Sequence, residues 1–358
     1  GVGKTTTAVM LAWILEHAGR RPDYLIGGMP GNFENPARFD GARLTVLEGD
    51  EYASCFDDPA PKFLHYAPEV AVVTNLLDDH PDLYPDSRGL HDAFLALVRL
   101  LPKGGCLVLP QDDEACSTLA AQAGCRVVTT GQDPDADRPI TDLKPTPQGT
   151  AFRLAGTGFA LPMCGRMNVH NAAMAILAAA HLDVSPEQSA RALAEFKGVR
   201  ERQEARDVGG CTVVTDKASH PHSLSELCGA LRQRYPRRRV VSVIQPRGTG
   251  GRRWIYQRDL PAALASFDKV ILTSAYEHRP PEQTAWEHEP FCIDTLTRDL
   301  GAQAVDVTVV PALADVPDAV GRLVQDGDVV VMSLREQFVG EVSRVEEAIL
   351  DRHRRVIA

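Results

Sequence analysis

Residues 1–7 read Gly-Val-Gly-Lys-Thr-Thr-Thr, the back half of a glycine-rich loop that opens a helix. Glycines let backbone N–H groups approach phosphates, and the first turn of a helix adds a favourable dipole. Lys4 is expected to reach the β- and γ-phosphates of a nucleotide, and Thr5 to bind its Mg²⁺. Two apolar runs deliver further candidates. Leu44–Leu47 leads into the acids Glu48-Gly49-Asp50-Glu51, and Val70–Thr74 leads into Asn75-Leu76-Leu77-Asp78-Asp79-His80. A carboxylate and an imidazole at strand ends beside such a loop can hold a metal ion against the γ-phosphate. Alone, His80 would read as a surface histidine; the strand and the two aspartates before it make it a ligand candidate. The loop is shared by GTPases, motors and kinases and does not choose among them.

Strands and helices must position these groups. Residues 4–18 carry a helical apolar pattern that Gly19 ends. Short β-rich runs at 24–26, 44–47, 70–74 and 106–109, with a helical stretch at 90–101, predict a parallel sheet covered on both faces. Ligands sit at the carboxyl edge of such a sheet. Residues 130–163, rich in Pro, Gly, Asp and Thr, predict turns and short hairpins, and helices at 168–181 and 185–196 follow. The alternation restarts at 211. Strands are expected at 212–215, 240–244, 269–273, 307–310 and 329–332, and helices at 221–233, 258–266, 315–324 and 338–350. The expected fold is α/β: a central P-loop domain with a mostly parallel sheet over 1–197, then a smaller Rossmann-like α/β domain over 198–358.

A chain of 358 residues is too long for one ordinary core, which agrees with two domains. Its formal charge of −10 argues against nucleic acid or an anionic membrane surface as the main partner. The run Arg237-Arg238-Arg239 reads as a solvated flank of the next strand. The eight cysteines form no C-x-x-C pair, so reduced thiols in a cytosol are expected rather than a disulfide scaffold or zinc ribbon. No signal peptide or membrane-spanning run is evident, and a cytoplasmic protein is expected. The chain opens inside a loop that normally follows a buried strand, which suggests a segment of a longer protein.

Five segments together resemble the Mur ligase family: the loop itself, LIGGMPGNFENPARF at 25–39, VLEGDEYASCFDD at 46–58, KFLHYAPEVAVVTNLLDDHPDLY at 62–84 and GRMNVHNAAMAILAAA at 165–180. Within the family, the ligases that use a free murein tripeptide are most similar. The resemblance implies ATP and Mg²⁺ as cofactors, with Gly1, Gly3, Lys4, Thr5, Thr6, Asn168, Asn171, Arg202 and Asp216 on ATP. It implies Thr5, Glu48 and His80 on the metal, and Lys4, Glu48 and His80 as the catalytic set. Asn171 would contact adenine; on pattern alone the pair Asn168 and Asn171 would read as a helix cap. Asp216 would bind the ribose and Arg202 would reach ATP from the second domain, with domain closure excluding water. The implied reaction joins the carboxylate of UDP-N-acetylmuramate to the amine of L-Ala-γ-D-Glu-meso-diaminopimelate through an acyl phosphate, in peptidoglycan recycling. The family's UDP-binding domain is expected upstream.

The sequence also departs from that pattern. Met167 stands where the family has histidine, and Lys217-Ala218-Ser219-His220-Pro221 where it carries an aromatic and paired histidines. Gln245-Pro246-Arg247-Gly248 and Arg335-Glu336-Gln337-Phe338 also differ from it. These last three changes fall on the side of the amine substrate. Arg247, whose fork suits a carboxylate, and His220 are the candidates there, and a purely structural role for Arg247 is equally open. Another amine, L-alanine or a non-murein amino acid, is therefore an alternative, as is a nucleotide-binding regulatory module without ligase activity.

Overall fold

The computed structural model of the chain describes residues 2–55, 57–77, 84, 87–246, 254–273, 291–333 and 339–357. It divides into two compact units, Gly1–Arg200 and Glu201–Ala358.

Unit 1 is organised around helix α1 (Lys4–His17), nine of whose residues between Thr5 and Leu15 are buried. A helix apolar on nearly every side belongs inside a core rather than on its surface. Met10, Ile14 and Leu15 are fully buried, each worth about 1.5–3 kcal/mol by transfer. Strands β1 (Asp23–Leu25), β2 (Ala37–Arg38) and β3 (Thr45–Leu47) form a small sheet in the order β2-β1-β3, with β1 and β3 parallel. A short hairpin, β4 (Ala53–Cys55) and β5 (Asp58–Pro61), carries the chain on to β6 (Val70–Val72).

The larger sheet of unit 1 continues from β6 through β7 (Cys106–Pro110), β8 (Arg126–Gly131) and β9 (Arg138–Thr146), each parallel to the one before. It ends in an antiparallel meander of β9, β10 (Gly149–Leu154) and β11 (Thr157–Leu161), the hairpins expected within 130–163. Phe152 and Phe159 stack across β10 and β11 at 5.3 Å. Helices α2 (Ser87–Leu100) and α3 (Glu114–Ala120) flank β7. Helix α4 (Arg166–His181) packs against α1 through small residues such as Ala172 and Ala173. Helix α5 (Pro186–Ala194) begins at a capping box, Ser185 with Gln188.

Unit 2 contains β12 (Glu204–Val208), β13 (Cys211–Asp216), β14 (Val240–Ile244), β15 (Lys269–Thr273), β16 (Asp306–Val310) and β17 (Val329–Ser333). Their order is β12-β13-β17-β14-β15-β16, parallel except for β12. Strands β14, β15 and β17 are buried at every residue, as a sheet covered on both faces requires. Helices α6 (Pro221–Arg234), α7 (Trp254–Leu264) and α8 (Ile293–Ala302) cover one face; α9 (Val316–Leu323) and α10 (Val339–Ile357) cover the other.

One expectation is corrected here. The arginine run is a solvated flank only at Arg237, which is exposed: Arg238 donates to the carbonyls of Gly327 and Asp328 at 2.5 and 2.8 Å, and Arg239 pairs with Asp328 at 2.7 Å. Asp328 is buried, and its charge recruits the arginine. All eight cysteines are free thiols. Among the described residues no helix is long and apolar enough to cross a membrane.

Candidate functional site

The glycine-rich loop is fixed from three sides within unit 1. Gly3 adopts φ +92°, a left-handed conformation that favours glycine, and a Cβ there would lie 2.4 Å from Asn171 Oδ1. The close approach of α4 to the loop thus demands glycine. At the carboxyl end of β6, Asn75 closes a two-bond clamp on Val2: Val2 N donates to Asn75 Oδ1 at 2.9 Å, and Asn75 Nδ2 donates to Val2 O at 2.6 Å. At the carboxyl end of β3, Thr5 Oγ1 donates to Glu48 Oε1 at 2.6 Å, while Glu48 Oε2 accepts from Gly27 N at 2.6 Å.

Lys4 sits among acids. Its ammonium is hydrogen-bonded to Glu51, only 1% exposed, and lies 3.1 Å from Asp50. Burial works against the Lys4 ammonium, but Glu51 and Asp50 outweigh it and hold its pKa above the ordinary lysine value. Burial likewise opposes ionisation of Glu51, yet the Lys4 ammonium beside it helps hold its pKa below the ordinary carboxylate value. Tyr84 donates from its hydroxyl to the Glu51 carbonyl at 2.7 Å, and burial followed by the Glu51 charge pushes its phenol up to about 12. The glycine-rich segment after β1 is anchored too. Gly31 N donates to Gly198 O at 2.9 Å, and a side chain at Gly31 would strike the Lys197 carbonyl at 2.5 Å.

The other candidates are distributed as follows. Thr6 is buried in the first turn of α1. Asn168 and Asn171 are both buried in α4, but neither caps it, because α4 starts at Gly165 without a side-chain cap. Asn168 donates back to the Cys164 carbonyl at 2.8 Å, so its amide is engaged locally. Asn171 Nδ2 is buried without a partner, a donor that the molecule itself does not satisfy. In unit 2, Asp216 ends β13. Its carboxylate accepts from Gln203 N at 2.8 Å and Ala218 N at 2.7 Å. Burial raises its pKa, against the pull of Arg202 and these amides. His220 caps α6 through a 3.2 Å contact with His222 N. Gly1, His80 and Arg247 lie outside the described residues, as does 335–338.

Thr5 and Glu48 offer hard oxygen donors side by side, the chemistry Mg²⁺ takes with few protein ligands and several waters. Among the described residues no group of three or more His, Cys, Asp or Glu converges on one point. Sequence reasoning gave no role to Asn75 or Glu51. Both stand at strand ends beside the loop, and that position was the available signal. It also missed Asp113, which caps α3 and accepts from Leu76 N at 2.9 Å.

Residues 1–179 match the family model described as Mur ligase middle domain, and residues 201–333 the model described as Mur ligase, glutamate ligase domain. The UDP-N-acetylmuramate–L-alanyl-γ-D-glutamyl-meso-2,6-diaminoheptandioate ligase of Escherichia coli is 35% identical over 75% of this chain and 60% of its own length. The UDP-N-acetylmuramate–L-alanine ligase of Halorhodospira halophila is 33% identical over 92% of this chain and 68% of its own. The crystal structure of the UDP-N-acetylmuramate–alanine ligase of Thermotoga maritima shares the fold, with a TM-score of 0.75 at 19% identity, over 99% of this chain and 74% of that one. The chain spans about 60% of the length of the first curated relatives it matches.

Proposed function

The chain belongs to the Mur ligase family, and from that premise we propose that it is the nucleotide-using part of an ATP-dependent amide ligase. One observation carries the proposal: past the carboxyl end of β3, the loop residue Thr5 meets Glu48 while Lys4 meets Asp50 and Glu51. A carboxylate oxygen of UDP-N-acetylmuramate attacks the γ-phosphorus, ADP leaves, and an acyl phosphate forms. The amine of L-Ala-γ-D-Glu-meso-diaminopimelate then attacks the acyl carbon. The C–O bond to phosphate breaks, inorganic phosphate leaves, and the amine gives up a proton.

Lys4 neutralises charge building on the transferred phosphoryl group, a task of positioning and electrostatics. Thr5 and Glu48, with His80, would hold Mg²⁺, which supplies further neutralisation. The orphan amide of Asn171 supports its role toward adenine. Arg202 and Asp216 are proposed as nucleotide contacts, Asp216 toward the ribose, and His220 and Arg247 as contacts of the amine substrate. Peptidoglycan recycling in the cytoplasm is the proposed setting.

A second reading keeps the chemistry and changes the amine. It is favoured by Lys217-Ala218-Ser219, which replaces the family's aromatic and histidine, and by the similarity to L-alanine ligases. Measuring ADP release with the tripeptide, L-alanine and other amino acids decides between them. The highest kcat/KM with the tripeptide supports the first reading, and preference for a single amino acid supports the second. Silence with every amine, despite bound nucleotide, would favour a regulatory module.

A further inference from the structure

The two residues that flank Arg202 hold a backbone conformation that their side chains disfavour. Glu201 has φ +57° and Gln203 has φ +51°, the left-handed region that residues other than glycine enter rarely. Among the described residues eight non-glycine positions have positive φ, and these are the only two within two residues of each other. Such backbone persists where its surroundings over-determine it, and it gathers at sites that bind or react.

The surroundings do so here, entirely within unit 2. Glu201 N donates to Glu204 Oε2 at 3.0 Å, and the Glu201 carboxylate pairs with Lys217 Nζ at 2.6 Å. Gln203 N donates to Asp216 Oδ2 at 2.8 Å, and Gln203 O accepts from Arg234 Nη1 of α6 at 3.3 Å. The sheet fixes the two acids that accept from this segment: Glu204 opens β12 opposite Thr215, and Asp216 closes β13. The chain is thus held on both sides of Arg202. The direction in which a side chain leaves the backbone is set by the peptide planes before and after it. Relaxing Glu201 or Gln203 to an ordinary φ would turn those planes and swing Arg202 away. As held, the Arg202 charge acts on the buried carboxylate of Asp216 and favours its ionised form.

We infer that Glu204 is a positioning residue: by accepting from Glu201 N it keeps residues 201–203 in their strained form and directs Arg202 to the side of Asp216. Of the remaining holds, the partly exposed pair of Lys217 with Glu201 contributes least, and Asp216 is already proposed as a ribose contact. Glu204 touches no substrate in this account; its other oxygen accepts from Arg206 Nη2 at 3.2 Å. Strain held in the free protein is ordering that nucleotide binding does not have to supply. The inference rests on the reading of Arg202 and Asp216 as nucleotide contacts, and it holds whichever amine the ligase accepts.

The test measures Kd for the ATP analogue AMP-PNP with Mg²⁺ by titration calorimetry, on the protein encoded by the complete reading frame. No turnover or amine is needed. Arg202→Ala sets the ceiling. Glu204→Ala should weaken binding by about fivefold or more, within that ceiling, while Glu204→Gln, which keeps an oxygen for Glu201 N, should stay within about twofold of the parent. Glu204→Ala added to Arg202→Ala should weaken it no further, because a residue that acts through another is silent once that one is gone. Glu201→Gly added to Glu204→Ala should restore binding toward the parent, since glycine takes a positive φ without strain. Parental affinity in Glu204→Ala, equal loss in Glu204→Gln, additive loss with Arg202→Ala, or no recovery with glycine would each overturn the inference and leave Arg202 as a contact. Should Arg202→Ala itself bind as the parent does, the nucleotide reading of Arg202 falls and takes the inference with it. If Glu204→Ala does not fold, Arg234→Met, which frees Gln203 O, replaces it with Arg234→Lys and Gln203→Gly as its companions, judged by the same outcomes.

Discussion

At the carboxyl edge of the strands in unit 1, the polar and charged groups around the loop are braced against one another: Lys4 with Asp50 and Glu51, Thr5 with Glu48, and the Val2 backbone with Asn75. At the corresponding edge of unit 2, Thr273 and Ser333 end β15 and β17 with buried hydroxyls that have no partner, as does Ser242 within β14. The first edge holds its geometry by internal pairing, so its residues must exchange partners when a nucleotide arrives. The second carries unmet polar groups, a cost tolerated where something else satisfies them. Substitution should therefore damage the first edge through lost pairing and the second through lost substrate recognition.

The largest effect is expected at Lys4. In an ADP-release assay on the protein encoded by the complete reading frame, Lys4→Ala should lower kcat by about 10²–10³-fold, as removal of a transition-state donor does. Its circular dichroism should remain that of the parent. Near-parental turnover would remove Lys4 from the chemistry. Gly3→Ala comes next: it combines a left-handed backbone with a 2.4 Å clash against Asn171 Oδ1, and should cost about 1–3 kcal/mol in urea unfolding. Gly3→Ala combined with Asn171→Ala should recover the steric part; additive losses would break the claim that these two residues meet.

Glu51→Gln probes the bracing itself and should cost about 1–3 kcal/mol near neutral pH, the scale of a hydrogen bond to a charged group. Because Lys4 helps hold Glu51 below the ordinary carboxylate value of about 4.3 in the folded protein, its contribution is complete above that ordinary value. It disappears as pH falls through the lowered folded-state value. The parent and Glu51→Gln curves should therefore run apart above about pH 4.3 and converge in acid, and a constant gap would contradict the pairing. On the alkaline side, the raised pKa of Lys4 means its share persists past the ordinary lysine range before it is lost. The smallest effect is expected in unit 2. Thr273→Val should leave stability within about 0.5 kcal/mol of the parent or raise it, since it deletes an unpaired buried hydroxyl. KM for the amine should rise while KM for ATP holds, and a destabilisation like that of Glu51→Gln would erase the contrast between the two edges.

Legibility in the sequence followed the same division. The long apolar runs Val240–Ile244 and Val329–Met332 announced buried parallel strands, and Gly3-Lys4-Thr5 announced a phosphate loop, because each signal is local and repeated. Strand β2 and the β4–β5 hairpin escaped, since two to four residues cannot display a period. Helix α3 escaped for the same reason: it has seven residues and depends on the cap by Asp113. Strand β12 is polar because it lies at an edge; only its pairing with β13, Glu204 opposite Thr215, makes it a strand. The acid run after β3 was visible, but which acid holds the lysine was not. Glu48 and Glu51 differ by their place in three dimensions, one on Thr5 and Gly27, the other on Lys4.

The central claim, activation of a carboxylate by the loop's nucleotide, is tested most directly by oxygen transfer. UDP-N-acetylmuramate labelled with ¹⁸O in its carboxylate is turned over with ATP, Mg²⁺ and the preferred amine, and the released phosphate is analysed by mass spectrometry. Passage through an acyl phosphate places one carboxylate oxygen in each phosphate, so labelled phosphate is expected in step with amide product. Phosphate free of label would mean that water, not the carboxylate, accepts the γ-phosphoryl group, and would contradict the ligase account.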